Sequence, residues 1–540
     1  MSYTSFGFLI FVCITVLIYF LFPAKKYQWV ILLLASYSFY LFAGYKYIFF
    51  IVFTTLTTYG AALLIDQTLK KQKLTLKEHK ADWDKAQKKV FKAKNKAKMR
   101  LMMIAMVVIN LGILAFLKYY NFLAGSINDL LQTGGVSFSV PTFKLLLPLG
   151  ISFYTFQSIG YVVDVYNEKI KAERNPAKVA LFVSFFPQII QGPISFYDQL
   201  AQQLYEPHRF DFTRFKHGSE LILWGVFKKM VIADRAFIAI RAVLDSYYDF
   251  NGTTLTFTVL LYALQLYTDF SGGIDISRGV AQIFGIDMVQ NFKRPYFATT
   301  INGYWRRWHI SLGAWMKEYV FYPLALSRGF TGISKKLAAS KIGTKKFGAH
   351  IAKVLPSSIA SLIVFFLVGI WHGANWKYVG FGIWNGGIIM LSTLCEPVFK
   401  QINVKLRINV ESLAFRIFQM LRTFLIVLVG YVFDVAPDFS AAMYTFRKIL
   451  FDQQLRSGYW QIRGLGVHIL HYASLLLCTC FLFCISLVQE RHSNTSLRGI
   501  LDGKSFIIRY ILLFFGILYL LVFGVYGPGF DPAEFVYMQF

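Results

Sequence analysis

Along the chain, apolar positions gather into long runs separated by short polar stretches. Phe6–Phe22 carries no charge, and further runs occupy Trp29–Ala43, Ile48–Ile65 and Leu101–Leu117. Later runs are Thr254–Phe270, Leu355–Trp371, Val379–Cys395, Phe418–Val435, Gly466–Val488 and Phe506–Val525. A helix needs roughly 20 apolar residues to cross a bilayer, so each run predicts a transmembrane helix. Between them lie Leu145–Val165, Val179–Ile194, Glu220–Ala242 and Ile276–Met288, which carry Gly, Pro or occasional charges. These predict full spans, or re-entrant and interfacial helices whose backbone is satisfied by protein or by a water-filled cavity. The expected fold is all-α: a polytopic integral membrane bundle of about eleven spans plus re-entrant pieces. It forms a single membrane domain over residues 1–540, with no soluble appendage and no fixed-period repeat.

Composition supports lipid as the main solvent. Hydrophobic residues make up 56% of the 540 positions and charged residues 16%, with 55 Phe and 32 Tyr. A soluble surface could not be covered with so few charges. The first run follows MSYTS and ends in Pro23, Lys25 and Lys26. It lacks the basic start and small-residue cleavage site of a signal peptide, and predicts an uncleaved helix. The five cysteines all lie in apolar stretches and predict small packed residues, not a disulfide framework or a metal site.

Charge orients the bundle. The chain holds 56 Lys and Arg against 28 Asp and Glu. The cations cluster between apolar runs, which the positive-inside bias explains without any nucleic-acid partner. Residues 66–100 hold 13 basic and 4 acidic residues, and residues 327–354 hold 7 basic and no acidic ones. Both predict basic cytoplasmic loops. Within the first, Leu69–Lys98 predicts either a helix near the inner leaflet or a solvated basic loop. Asn121–Phe143 and the tail from Tyr526 carry no Lys or Arg. They predict the outer face, with both termini extracytoplasmic.

Ionisable groups inside apolar segments are the first places to look for chemistry. His372 closes the run Leu355–Trp371, is followed by Gly373 and Ala374, and is flanked by Trp371 and Trp376. A neutral imidazole takes and returns a proton near pH 7, and the small residues allow close approach. A hydrogen-bonded structural histidine in an aromatic belt fits the local residues equally well. His309 follows Trp305, Arg306, Arg307 and Trp308. Paired guanidiniums fork onto phosphate or carboxylate, which suits an anionic acyl carrier such as a pantetheine phosphate; snorkelling at the headgroups explains them too. The run Leu355–Trp371 leaves a basic loop, so a straight helix carries His372 across the hydrocarbon while His309 stays toward the inside. Asp269 and Asp275 flank a Ser-Gly-Gly sequence and predict helix caps at a break, with ion binding as the alternative. Asp164, Asp234 and Asp434, near span ends, read as structural. No HExxH, P-loop or GxSxG sequence is present.

Three stretches carry a resemblance: YTDFSGGIDISRG at Tyr267–Gly279, NFKRPYFATTINGYWRRWHISLGAWMKEYVFYPL at Asn291–Leu324, and VGIWHGANWKYVGFGIWNG at Val368–Gly386. Together they resemble the membrane-bound O-acyltransferase family, in its bacterial alginate O-acetyltransferase-like branch, which is related to teichoic acid D-alanyl transfer. Residues 148–157, 185–193 and 224–234 resemble upstream motifs of the same branch. One departure is Gly273, where many relatives carry Tyr. The resemblance implies a helical bundle enclosing a tunnel in a bacterial inner or plasma membrane. It implies His372 as the catalytic histidine and His309 as the second motif histidine. The implied co-substrate is an acyl thioester, acetyl-CoA or acyl-carrier phosphopantetheine, with no bound cofactor and no metal. The implied partners are membrane lipid, an extracytoplasmic acyltransferase of hydrolase-like fold, and an acyl carrier protein as an alternative donor.

The expected reaction is transfer of an acyl group, acetyl first, from the thioester to an extracytoplasmic polysaccharide. His372 removes the hydroxyl proton, and Asn375 or a tryptophan indole N–H steadies the oxyanion. Arg306, Arg307, Trp305, Trp308, Trp371, Trp376 and Asp269 complete the expected tunnel and substrate contacts. The alternatives are D-alanyl transfer to teichoic acid from a carrier protein, and a transporter or flippase. The latter predicts internal symmetry, and the sequence has none.

Overall fold

A computed structural model describes residues 2–145, 147–341, 344–492 and 497–526. Among these residues every regular element is a helix. Six helices among the described residues are long and apolar enough to cross a membrane: Tyr45–Glu78, Lys85–Thr133, Lys346–His372, Leu413–Val435, Ile469–Arg491 and Phe506–Phe523. Trp376–Leu394 and Glu396–Lys405, bent by 59°, make a seventh if counted as one span. Phe506–Phe523 has no buried residue at all. An eighteen-residue helix exposing Phe and Leu on every side is stable only where hydrocarbon replaces water. The protein is a multi-pass integral membrane protein.

The expected spans and the observed helices differ for local reasons. Gln28–Ala43 and Ile151–Tyr166 form helices of 16 residues, short for a bilayer. Val179–Ile194 breaks into Pro176–Ser184 and Phe186–Ile189. Pro187 sits in the first turn of the second piece, where its missing N–H costs nothing, but it could not continue the first. Glu220–Ala242 becomes Phe212–Val226, a π-helical turn at Phe227–Ala233 and Asp234–Asp245. The runs Thr254–Phe270 and Ile276–Met288 are one helix, Gly252–Ile283, which passes straight through Ser271-Gly272-Gly273. The expected break there is absent. Gly272 instead allows close packing: a Cβ on it would stand 2.8 Å from the carbonyl oxygen of Gly225.

Residues 66–100 form the end of one helix, a turn at 79–84 and the start of the next helix. Ile48–Glu78 runs on past the apolar segment, and Lys85–Thr133 begins with a capping box between Asp84 and Gln87. In 327–354, Ser327 caps an amphipathic helix at Arg328–Ala338, and the next helix starts at Lys346. The tail expected on the outer face lies, from residue 527 onward, outside the described residues.

Contacts divide the chain into two compact units. One holds Met1–Ile222 and Ser277–Val289; the other holds Leu223–Ile276 and Gln290–Phe540. In the first unit, Ile48–Glu78 packs on Lys85–Thr133 and on Ile151–Tyr166. Nearly every side chain of Ile151–Tyr166 is buried, so it is a core helix and not a lipid-facing one. Its start is fixed by Gly150, at φ +68°, where a Cβ would lie 2.3 Å from the carbonyl oxygen of Ile189. Tyr3 donates to the carbonyl of Pro187 at 2.6 Å, tying the N-terminal segment to that buried turn.

In the second unit, Lys346–His372 and Trp376–Leu394 pack tightly together. Glycines make this possible. A Cβ on Gly369 would stand 2.3 Å from the carbonyl oxygen of Tyr378, and one on Gly382 2.6 Å from that of Phe365. The turn between the helices is closed by Asn375, whose side-chain oxygen accepts from the Lys377 backbone N–H at 3.0 Å. His372 is the last residue of the first helix, held at the mouth of this turn.

Candidate active site

The two motif histidines are placed by different devices. His309 precedes the helix Ile310–Met316 and adopts φ +45°, ψ 56°, a left-handed conformation uncommon for a non-glycine residue. A neighbouring strand of backbone holds it there. Lys293 N–H donates to Arg307 O at 2.9 Å, Ile310 N–H to Asn291 O at 3.0 Å, and Ser311 N–H to the Asn291 side chain at 2.9 Å. Arg294, inside the same brace, is also left-handed at φ +48°. The His309 ring is 2% exposed and meets Phe270 edge-on at 4.8 Å and Trp371 at 6.0 Å.

His372 is 7% exposed, with Phe381 at 5.3 Å and Tyr378 at 6.2 Å between ring centres. It lies within electrostatic reach of His309, and the Trp371 ring stands next to both. His372 lines a cavity of about 10 Å³ together with Leu266, Trp305, Trp308, Phe381, Tyr431 and Asp434. That volume holds about one water molecule. The site therefore brings together an imidazole, a carboxylate and a phenol inside an aromatic shell. Such a shell excludes bulk water and strengthens every charge interaction within it.

The polar members of the cavity wall are anchored from behind. Tyr262 donates to Asp434 Oδ2 at 2.9 Å. The ammonium of Lys377 donates to the backbone carbonyls of Asp434 and Ala436 at 2.9 and 2.8 Å. Tyr431 shares a hydrogen bond with Tyr304 at 2.7 Å and one with Tyr296 at 3.3 Å, and Tyr296 donates on to Ala263 O at 2.6 Å.

Of the expected site residues, His372, Trp305 and Trp308 line the cavity, while His309 and Trp371 stand directly behind it. Four others belong elsewhere. Trp376 is 54% exposed and turns away from the cavity, because it opens the helix after the capped turn. The Asn375 side-chain oxygen is engaged as that cap. Arg306 is exposed. Arg307 forks onto Glu490 at 3.1 and 3.0 Å, where Arg294 also donates at 2.7 Å.

Asp269 is neither a cap nor a cavity residue. It is fully buried and accepts from Lys229 at 2.6 Å; Lys229 also lies 2.8 Å from Asp234. Beside this triad, Lys228 donates to Asp275 at 2.7 Å and Ser271 at 2.9 Å. Asp234, read as structural from the sequence, is a buried member of this ion network. The sequence reading gave no role to Tyr431, Tyr262 or Lys377, and it read Asp434 as structural, whereas Asp434 lines the cavity. The signal for Asp434 was an acid in the last turn of an otherwise apolar span, Leu413–Val435.

Fold and site together define a polytopic helical membrane protein with two buried histidines close to one small aromatic-lined cavity. The chain belongs to the membrane-bound O-acyltransferase family. That family's model matches residues 170–340, a stretch that includes His309. The probable alginate O-acetylase AlgI of Pseudomonas putida is 32% identical over 381 residues, 69% of this chain and 70% of that protein. The protein of the same name from Azotobacter vinelandii is 33% identical over 350 residues, 63% of this chain and 62% of its own. The peptidoglycan O-acetyltransferase of Helicobacter pylori is 31% identical over 386 residues, 66% and 62% respectively. The chain thus spans about three fifths of the length of the last two relatives.

Proposed function

We propose that this protein moves an acyl group, acetyl in the first instance, from a cytoplasmic thioester to a hydroxyl destined for a polysaccharide outside the cell membrane. The observation that carries this reading is the imidazole of His372, buried at the end of a membrane-spanning helix and lining a cavity closed off by aromatic side chains. The names of the relatives, probable alginate O-acetylase and peptidoglycan O-acetyltransferase, support the cargo and the kind of polymer.

His372 accepts the proton of the attacking hydroxyl as its oxygen bonds to the thioester carbonyl carbon. Trp305, Trp308 and Phe381 keep the reacting atoms dry. His309, behind Trp371, fixes the floor of the site. The cavity admits one small group of atoms, so the donor reaches His372 only when the aromatic wall gives way. Acetyl-CoA and an acyl-carrier phosphopantetheine both fit the proposed donor class. An extracytoplasmic partner of hydrolase-like fold receives the group and completes delivery. The loop charges support an orientation with both termini outside, and the bacterial relatives support placement in a bacterial inner membrane.

The test is complementation of a deletion strain, followed by mass spectrometry of the esters released from cell-surface polysaccharide. His372→Ala accumulates in the membrane but loses the ester, and His309→Ala weakens it. Unchanged esterification with His372→Ala removes this reading. Released D-alanine in place of acetate reassigns the cargo, and substrate flux without acyl turnover reassigns the protein to transport.

A further inference from the structure

Asp434 ends the span Leu413–Val435, is 7% exposed, and lines the same small cavity as His372. Its two carboxylate oxygens differ. Oδ2 accepts from Tyr262 at 2.9 Å, while Oδ1 is buried and has no hydrogen-bond partner. A carboxylate can only accept, and a buried acceptor without a donor is destabilising, the more so when charged. Its backbone is not free to relieve this. Lys377 clamps the carbonyls of Asp434 and Ala436, and the hydroxyl of Tyr262 holds the other oxygen. The same lysine places a compensating charge behind the carboxylate. The arrangement sets a carboxyl group on the wall of a cavity about one water molecule wide, with an imidazole on the same wall.

We propose that Asp434 is the countercharge of the His372 imidazolium, and so a positioning residue for the acyl transfer. The inference rests on the reaction proposed above. When the hydroxyl oxygen forms its bond to the carbonyl carbon, its proton passes to His372, whose charge rises by one. When the tetrahedral intermediate collapses, the carbon–sulfur bond breaks and the imidazolium returns that proton to the departing thiolate. Nothing is oxidised or reduced. Between those two events a positive charge exists that is absent before and after, and Asp434 faces it across the cavity. An interaction made only in that interval lowers the barrier without tightening substrate binding.

The test uses the full chain in the complemented deletion strain, with polysaccharide esters measured per amount of protein in the membrane. Asp434→Asn keeps the shape and removes the charge. It is expected to lower esterification on the order of 10²-fold, the usual size of losing one electrostatic contact to a transition state. Asp434→Glu restores the charge one methylene away and is expected to recover part of the loss. Wild-type ester levels with Asp434→Asn overturn the proposal. So do equal losses with Asn and Glu, which assign the residue to shape, and failure of both variants to accumulate, which assigns it to folding. His372→Ala, run in parallel, separates the two claims: if it stays active the reaction itself is wrong, and if it alone is inactive only Asp434 is.

Discussion

Two charged clusters lie in the same structural unit and are built on opposite principles. At Lys229 the charges answer one another: one ammonium sits between Asp269 at 2.6 Å and Asp234 at 2.8 Å, with Lys228 and Asp275 paired alongside. At His372 the polar groups are held from behind by Tyr262, Lys377 and Tyr304, and they face an enclosed space. The first cluster gathers its charges around one another, at a π-helical turn that opens room for the buried lysines. The second leaves one carboxylate oxygen of a cavity-lining residue, Asp434 Oδ1, without a hydrogen-bond partner. A buried ion pair is weak evidence of function; an imidazole and a carboxylate sharing a cavity are stronger.

The comparison breaks most readily at its extremes. His372→Ala should cost acyl transfer about 10²–10⁴-fold, the usual contribution of a general base, with thermal stability in detergent unchanged. Lys229→Met should do the reverse. It leaves two buried carboxylates facing each other and removes about 3–5 kcal/mol of stability, seen as low membrane abundance, while the molecules that fold keep their turnover. A Lys229→Met protein that is stable but inactive would move the triad into the reaction. Asn375→Ala removes a helix cap and should cost about 1 kcal/mol, read as a modest fall in melting temperature with a smaller fall in transfer. Trp376→Ala, at an exposed ring, should change transfer by less than about twofold, in line with other surface substitutions.

Much of the fold was legible because lipid imposes length and hydropathy on each long span. The two histidines were legible because an imidazole inside an apolar segment is costly and rare. The failures have physical causes as well. Ser271-Gly272-Gly273 has the composition of a break, yet the glycines serve contact with Gly225, which lies 47 residues earlier in the chain. Lys228 and Lys229 carry no role in the sequence reading because their partners at 234, 269 and 275 are brought together only by folding. Asp434 lies more than sixty residues beyond His372 in the sequence, and only tertiary packing puts both on one cavity.

The glycine contacts between Lys346–His372 and Trp376–Leu394 have a mechanical consequence. Helix backbones that touch at Gly369 and Gly382, with no side chain between them, cannot slide or tilt without steric collision. The hairpin that bears His372 is therefore an anvil. Any opening of the chamber must come from the opposite wall, where Trp305 and Trp308 close it, and ligand traffic should register in the spectroscopic signals of those two indoles while the hairpin stands still.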